Sequence, residues 1–244
     1  MDKQVTIIGA GIIGISTAYY LAKNHKLSNI VLIDRNNPMS LTSAASGENY
    51  RNWWPQPEMF AFINRSIDLM EEIARTTKNR INMTRRGYAL ATRHKNIDEF
   101  INELKAGMKG LDERLLRHQT KQNSNSYLKS ITNNWETTPN GVDVIQNRQL
   151  IRTAFPNYAD DVETVIHIRR GGDIDSQQLG QIMIDHFREV GVEFEFGDVL
   201  SIQKSNRYEV EYKSGYHVKK VHSDILVNAA GPYAKDVANM LGVE

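Results

Sequence analysis

Residues 4–8 form a short, β-branched run that is almost wholly apolar; a glycine-punctuated turn covers 9–14 and a helical stretch runs from Ile12 to about Asn24. A second apolar run, 29–33, closes on Asp34. Strands that are apolar at nearly every position belong to a parallel sheet covered on both faces, so this opening predicts a buried βαβ unit within about 30 residues. Residues 36–57 are irregular and rich in Ser, Gly, Asn and Pro, with Trp53 and Trp54 near their end. Met59, Ile63, Ile67, Met70 and Ile73 then recur with a helical period, predicting a helix over 58–77.

A strand is expected over 85–92, and a helix over 97–108 on Ile97, Phe100, Ile101, Leu104 and Met108. Residues 119–141 are polar, begin with the low-complexity run QTKQNSNS, and read as a mobile excursion. After a strand at 164–168, a helix is expected over 176–190 with Ser176 as its N-cap. Strands follow at 192–196, 199–203, 208–213 and 216–221, the last two joined at Ser214-Gly215. A buried strand at 224–228 runs into Ala229-Ala230-Gly231, and Pro232 opens a helix over 232–241.

Composition changes this picture mainly by exclusion. The formal net charge is +1, from 30 basic and 29 acidic residues, so no global field favours nucleic acid or an anionic membrane. The basic doublets Arg85-Arg86, Arg169-Arg170 and Lys219-Lys220 are scattered, and solvated strand ends are expected for each. There is no cysteine, which excludes disulfides, thiolate metal sites and a Cys nucleophile and fits a reducing cytoplasm. The apolar stretch 5–22 is cut by three glycines and lacks a basic flank, so no membrane span is expected. The histidines at 25, 94, 118, 167, 186, 217 and 222 show no ligand spacing, and no metal is expected.

Chemistry concentrates in Gly9-Ala10-Gly11-Ile12-Ile13-Gly14. The first glycine permits the tight turn out of the strand, the second lets backbone approach a pyrophosphate, and the third lets the helix pack closely on the sheet. The helix N-terminus offers free N–H groups and a positive dipole end to phosphate. Asp34 lies 20 residues after Gly14, at the end of the second strand, where the ribose hydroxyls of an adenine dinucleotide would be held. This fingerprint fits NAD and FAD alike. An NAD domain would continue with a regular third βα unit, whereas residues 41–51 read LTSAASGENYR, whose small side chains and hydroxyls would line an extended cofactor.

Three stretches carry a family resemblance: VTIIGAGIIGISTAYYLA with NIVLIDR, TSAASGENYRNWWP followed by a long helix, and GGDIDSQQL with GVEFEFGDVLSI and DILVNAAGPYAKDVA. In that order they resemble the D-amino-acid-oxidase-like superfamily of FAD-dependent oxidoreductases, which includes glycine oxidase and the sarcosine oxidases and dehydrogenases. The resemblance implies an α/β fold: a Rossmann-like, doubly wound FAD-binding sheet from 1–57 and 176–244, and an incomplete α+β substrate domain over 78–175, with 58–77 a connecting helix. Gly9, Gly11 and Gly14 would hold the pyrophosphate and Asp34 the adenosine ribose, with Ile13 and Arg35 as further cofactor-binding residues. Ser43, Ser46 and Gly47 would lie along the pyrophosphate and ribityl chain, Val199 would meet the adenine through its backbone, and Ala230 and Gly231 would form a second glycine turn near the cofactor. Some relatives tether flavin to a His where this chain has Ala44, so FAD is expected to be non-covalent.

The implied reaction oxidises the C–N bond of a small amine or amino acid by hydride transfer to flavin N5. Asn49 and Arg51 would lie near the flavin, Arg51 as a cation favouring negative charge there. Arg86 and Tyr88 are further candidates on a substrate-domain strand, and Trp53 and Trp54 are expected in the core. Family members run well beyond residue 244, so the resemblance implies a truncated form, a shortened gene product or one piece of a split enzyme, with a partner chain or self-association covering the exposed side. Two other readings stay open: an NAD(P)-dependent dehydrogenase, and a non-catalytic FAD-binding subunit that works only with a partner chain.

Overall fold

A computed structural model describes residues 3–108, 110, 112–120, 127–130 and 135–243. It divides into two compact units, Met1–Gly47 with Ser176–Glu244, and Glu48–Asp175. The first unit begins with β1 (Val5–Ile8), α1 (Ile12–His25) and β2 (Ile30–Asp34). The second holds β3 (Asn49–Arg51), α2 (Pro57–Thr76), β4 (Tyr88–Thr92), α3 (Asp98–Gly107) and β5 (Leu116–Gln119), then β6 (Val142–Ile145), α4 (Arg148–Ala154), β7 (Thr164–Ile168) and β8 (Gly171–Asp173). The chain returns to the first unit through α5 (Ser176–Val190), β9 (Glu193–Phe196), β10 (Asp198–Lys204), β11 (Tyr208–Ser214), β12 (His217–Ser223), β13 (Ile225–Asn228) and α6 (Ala234–Asn239). Among the described residues no helix is long and apolar enough to cross a membrane.

The first unit is a four-stranded parallel sheet of order β13-β1-β2-β9, accompanied by a three-stranded antiparallel sheet, β10-β11-β12. Side chains alternate across a strand, so Ile8, Val31 and Ile33 share one face, and they cluster with Ile202, Val210 and Tyr212 of the antiparallel sheet and with Val237 of α6. Val5, Ile7, Ile30 and Leu32 point the other way, where α1 and α5 pack on each other. That double coverage is why both opening strands lack polar alternation.

The second unit contains a mixed sheet of order β4-β7-β6-β5 and the short antiparallel pair β3-β8. One face of the mixed sheet packs Val142, Val144, Ile166 and Ile168 against Ile101 and Leu104 of α3, with Trp53 and Phe100 joining them at 4.8 Å between ring centroids. Residues 48–57 and the helix expected as a connector belong to this unit. β3 pairs with β8 from Asn49↔Asp173 to Arg51↔Gly171, and Arg170 ties α2 to the same place through Asn64 at 2.8 Å and Asp68 at 2.5 Å.

Three of the four arginines in the two doublets are not the solvated residues they were expected to be, and only Arg86 is half exposed. The Arg169 side chain is fully buried, Arg85 is nearly so, and Arg170 is 12% exposed. Glu71 of α2 serves both Arg85, at 3.5 Å, and Arg170, at 3.1 Å. On the other face of the mixed sheet, register places Arg117, Asp143 and His167 side by side on β5, β6 and β7. Arg117 donates to both carboxylate oxygens of Asp143, at 2.8 and 3.1 Å, Gln119 donates at 3.0 Å, and Arg169 lies 3.4 Å away. A one-residue slip of any strand would turn these groups onto the apolar face, so the ladder fixes register more than it adds stability.

Other differences are local. The strand expected at 85–92 begins only at Tyr88, and the last helix is split into a 3-10 turn, Gly231–Tyr233, and α6. Ser176 is the first residue of α5 rather than its cap, with its hydroxyl 3.5 Å from the Ser43 carbonyl. Of the excursion expected at 119–141, residues 121–126 and 131–134 lie outside the described residues, while Gln119 ends β5 and Trp135 is buried.

His167 generates a pH dependence. Its Nε2 faces the Arg86 carbonyl oxygen at 2.9 Å, which only accepts, so Nε2 carries the proton. Its Nδ1 faces an Arg169 guanidinium nitrogen at 3.1 Å, which only donates, and the Tyr127 hydroxyl at 3.0 Å. The ring is therefore neutral, and burial, followed by the Arg169 charge, holds its pKa down to about 4 against 6.5. Between those values the unfolded chain binds a proton that the folded chain refuses. Stability is therefore fully present above pH 6.5 and falls towards pH 4, by on the order of 3 kcal/mol. All three tryptophans lie in this unit, so urea unfolding followed by Trp fluorescence reports it selectively. The pH dependence of His167→Gln should be flatter by about one proton over that interval. Parallel curves for the two proteins would refute the assignment.

Candidate functional site

The four parallel strands of the first unit end at one level, because Ile8 pairs in register with both Asn228 and Ile33, and Asp34 with Phe196. A cleft opens just beyond their carboxyl ends. It is lined by Gly9, Ala10 and Gly11 after β1, Asp34 and Arg35 at the end of β2, Gly197–Val199 after β9, and Ala229–Gly231 after β13. In an open α/β sheet this is the place where ligands bind, at the strand from which connections depart in opposite directions.

Close backbone approaches build its floor. Gly9 has φ +105, and a Cβ there would stand 2.2 Å from the Ala229 carbonyl oxygen. A Cβ on Gly14 would stand 1.9 Å from the Gly9 carbonyl oxygen, so that glycine seats α1 on the turn. Gly11 differs: its φ is −72, and a Cβ would meet only the Ser43 hydroxyl, at 3.3 Å. Gly11 is therefore dispensable for the fold and leaves the helix end open to a ligand.

The polar groups converge on the same floor. The Ile12 N–H donates to the Ser43 hydroxyl at 3.0 Å, so Ser43 satisfies one of the helix-end donors. Asp34 accepts the Ala10 N–H at 2.7 Å on one oxygen and the Asn36 N–H at 2.8 Å on the other. Each oxygen keeps a lone pair for a further donor, such as a ribose hydroxyl. Met39, buried in the loop beneath, holds a left-handed φ of +60 and donates its N–H to the Ala10 carbonyl at 2.9 Å. Strain of this kind in a bulky residue persists only where the surroundings enforce it, here partly the close contact of Met39 with Gly180 of α5.

Of the residues expected to hold a cofactor, Gly9, Gly11, Asp34, Arg35, Ser43, Val199, Ala230 and Gly231 line this cleft. Gly14 lies beneath it as a packing residue. Ile13 is 66% exposed and its side chain lines a shallow groove on α1, so only its backbone N–H is a candidate. Ser46 and Gly47 are exposed and not among the lining residues. Asn49 and Arg51 belong to the second unit, on β3. There the Arg51 guanidinium lies over the rings of Trp54, at 5.5 Å, and Tyr88, at 4.6 Å, and its Nε is buried with no hydrogen-bond partner among the described residues. Arg86 is half exposed and paired with Asp173. Among the described residues no group of three or more acidic or histidine side chains is placed to hold a metal.

Sequence reasoning did not find Tyr233, Asp198 or Met39 in the lining. Tyr233 carried a signal, since it follows the Gly231-Pro232 turn that returns the chain over the strand ends. Met39 carried none.

The residues present fit an adenine dinucleotide. Gly9 and Gly11 leave no side chain over the turn, the first turn of α1 supplies N–H donors, and Asp34 retains acceptor capacity. A family model described as FAD dependent oxidoreductase matches residues 4–244. The chain is 45% identical over 49 residues to L-saccharopine oxidase of Schizosaccharomyces pombe, covering 20% of this chain and 11% of that protein. Its fold resembles L-proline dehydrogenase from P. horikoshii, with a TM-score of 0.73 and 16% identity, over 100% of this chain and 56% of that one. It also resembles glycine oxidase from Geobacillus kaustophilus, with a TM-score of 0.73 and 15% identity, over 99% of this chain and 59% of that one. The chain thus spans little more than half the length of these two solved structures.

The two turn glycines should separate by stability. Gly9→Ala combines a forbidden φ with a backbone clash and should cost about 3 kcal/mol or more. Gly11→Ala should stay within about 1 kcal/mol. Urea unfolding followed by far-ultraviolet circular dichroism measures both, and equal losses would refute this division of roles.

Proposed function

Since the chain belongs to the family of FAD-dependent oxidoreductases, we propose that the cleft at the carboxyl ends of its parallel strands holds FAD non-covalently, for oxidation of an amino acid or small amine at its C–N bond. The observation that carries the reading is the convergence of Gly9, Gly11, the α1 N-terminus and the Asp34 carboxylate on one cleft. In this reading the first-turn N–H groups of α1 receive the pyrophosphate, and the Ser43 hydroxyl, now on the Ile12 N–H, turns to the same oxygens. Asp34 accepts the adenosine ribose hydroxyls. The β10–β11 register shifts between Val199 and Ser201, a bulge that re-aims the backbone of this outer strand at the cleft edge, where Val199 meets the base. Ala44 stands where some relatives carry the His that tethers flavin, which favours a cofactor held without a covalent bond.

Bound FAD supplies a hydride acceptor, its N5, for the carbon beside an amine nitrogen. The protein's part is to orient that C–H bond, hold the substrate and exclude water. Asn49 and Arg51 are proposed as neighbours of the flavin ring. Stacking between Trp54 and Tyr88 holds the Arg51 guanidinium without a carboxylate partner among the described residues, so its charge stays available to favour negative charge on the ring. The amino-acid class of substrate is supported by the similar proteins, whose names specify L-proline, glycine and L-saccharopine as the compounds oxidised.

Visible absorption of the purified chain with added FAD tests the reading. Flavin bands that co-elute with the protein, and are released on denaturation in acid, are expected. Gly11→Ala should weaken FAD binding about tenfold or more, equivalent to about 1.4 kcal/mol, while the fold is retained. A chain that takes up no FAD would overturn the proposal. FAD uptake without bleaching by any amino acid or amine under anaerobic conditions would leave the cofactor site and remove the oxidase or dehydrogenase activity of this chain.

A further inference from the structure

We propose that Arg35 and Tyr233 form a clamp that reads the adenine base of the cofactor, with Asp198 as the positioning residue for Arg35. The inference rests on the reading of the cleft as an FAD site. The Arg35 guanidinium carbon lies 4.2 Å from the centroid of the Tyr233 ring, and one of its nitrogens lies 3.5 Å from the Asp198 carboxylate. All three residues line the cleft, yet they come from three different strand ends. They therefore form a bridge across its lip rather than a local pair.

Direction follows from the connectivity of an adenosine diphosphate group. Its ribose lies between the phosphates and the base, so a base attached to a ribose on Asp34 falls on the side away from Gly11. Arg35 follows Asp34 in the chain and lines the same cleft. The Gly197 N–H donates to the Asp34 carbonyl oxygen at 2.9 Å, which sets Asp198 and Val199 beside it.

Tyr233 itself has no packing reason to be there. It is 41% exposed and lies outside the apolar cluster that α6 joins through Val237. Its place is nevertheless fixed, because Gly231 takes φ +55 and the Tyr233 N–H donates to the Ala230 carbonyl at 3.0 Å. A guanidinium plane on an aromatic ring extends readily to a third planar layer, and a purine supplies one. The ion pair to Asp198 engages a nitrogen at the edge of the guanidinium, which leaves the face away from Tyr233 for that third layer.

Competition between ligands tests the clamp. The purified chain is titrated with FAD, and ADP and inorganic pyrophosphate are each used to displace it. Tyr233→Ala should weaken FAD and ADP about tenfold while leaving pyrophosphate unchanged, because stacking acts on the base alone, and Arg35→Ala, which also removes a cation, should weaken ADP about tenfold more than it weakens pyrophosphate. Tyr233→Phe should bind as the wild type does, and Asp198→Asn should weaken ADP by a smaller factor. Wild-type affinity for ADP in both alanine variants would overturn the clamp while leaving the FAD site intact. So would equal losses for ADP and pyrophosphate, or a Tyr233→Phe variant as weak as Tyr233→Ala. A wild-type chain that binds neither FAD nor ADP would overturn the cofactor reading, and the clamp with it.

Discussion

Two carbonyl oxygens set the geometry of the first unit. Those of Ala229 and Gly9 stand where side chains would begin on Gly9 and Gly14, at 2.2 and 1.9 Å. Only Cβ-free residues allow β13 to reach the turn after β1, and α1 to lie down on it. Once both approaches are made, the helix N-terminus opens at the strand ends, and the Ala10 backbone is placed to bond Asp34 on one side and Met39 on the other. The cleft is thus a consequence of packing, whether or not anything binds in it. Gly11, the one glycine of the turn that packing does not require, also faces the space left for a ligand.

The second unit is organised by charge rather than by small residues. Asp143, Glu71, the two buried arginines Arg85 and Arg169, and the mostly covered Arg170 form two clusters, each of which joins elements far apart in sequence. Ion pairs of this kind offset the cost of desolvating their own members and add little beyond that. Their value lies in what they forbid. Arg117, Asp143 and His167 can be satisfied together only in one register of β5, β6 and β7, and His167 only as the neutral tautomer that accepts from Arg169.

Legibility followed the same divide. The βαβ unit, its glycines and Asp34 could be read directly, because the constraint lies within about 30 residues and apolar runs mark both strands. The long helices announced themselves by period. β3 and β8 are three-residue strands with no pattern to detect, and β5 and β6 carry charges inward, so their alternation points the wrong way. Arg85, Arg169 and Arg170 looked like surface residues because their partners are distant: Glu71 precedes Arg170 by 99 positions. The sequence likewise named Asp34 and Arg35 but not Tyr233, which meets Arg35 only after the whole second unit has intervened.

The charge of the cleft explains why bulk composition said nothing about it. Its lining includes the carboxylates of Asp34, Asp198 and Asp236 and a single guanidinium, Arg35, which Asp198 already neutralises. Side chains alone would repel a diphosphate. Attraction has to come from the aligned peptide dipoles of α1 and from N–H groups that glycine leaves uncovered, and these act within the first turn only. A site built this way needs no basic patch and leaves a net charge of +1 undisturbed. What it needs is backbone at the right distance, and the glycines supply it: the contacts that fold the unit are also what would make an anion site there possible.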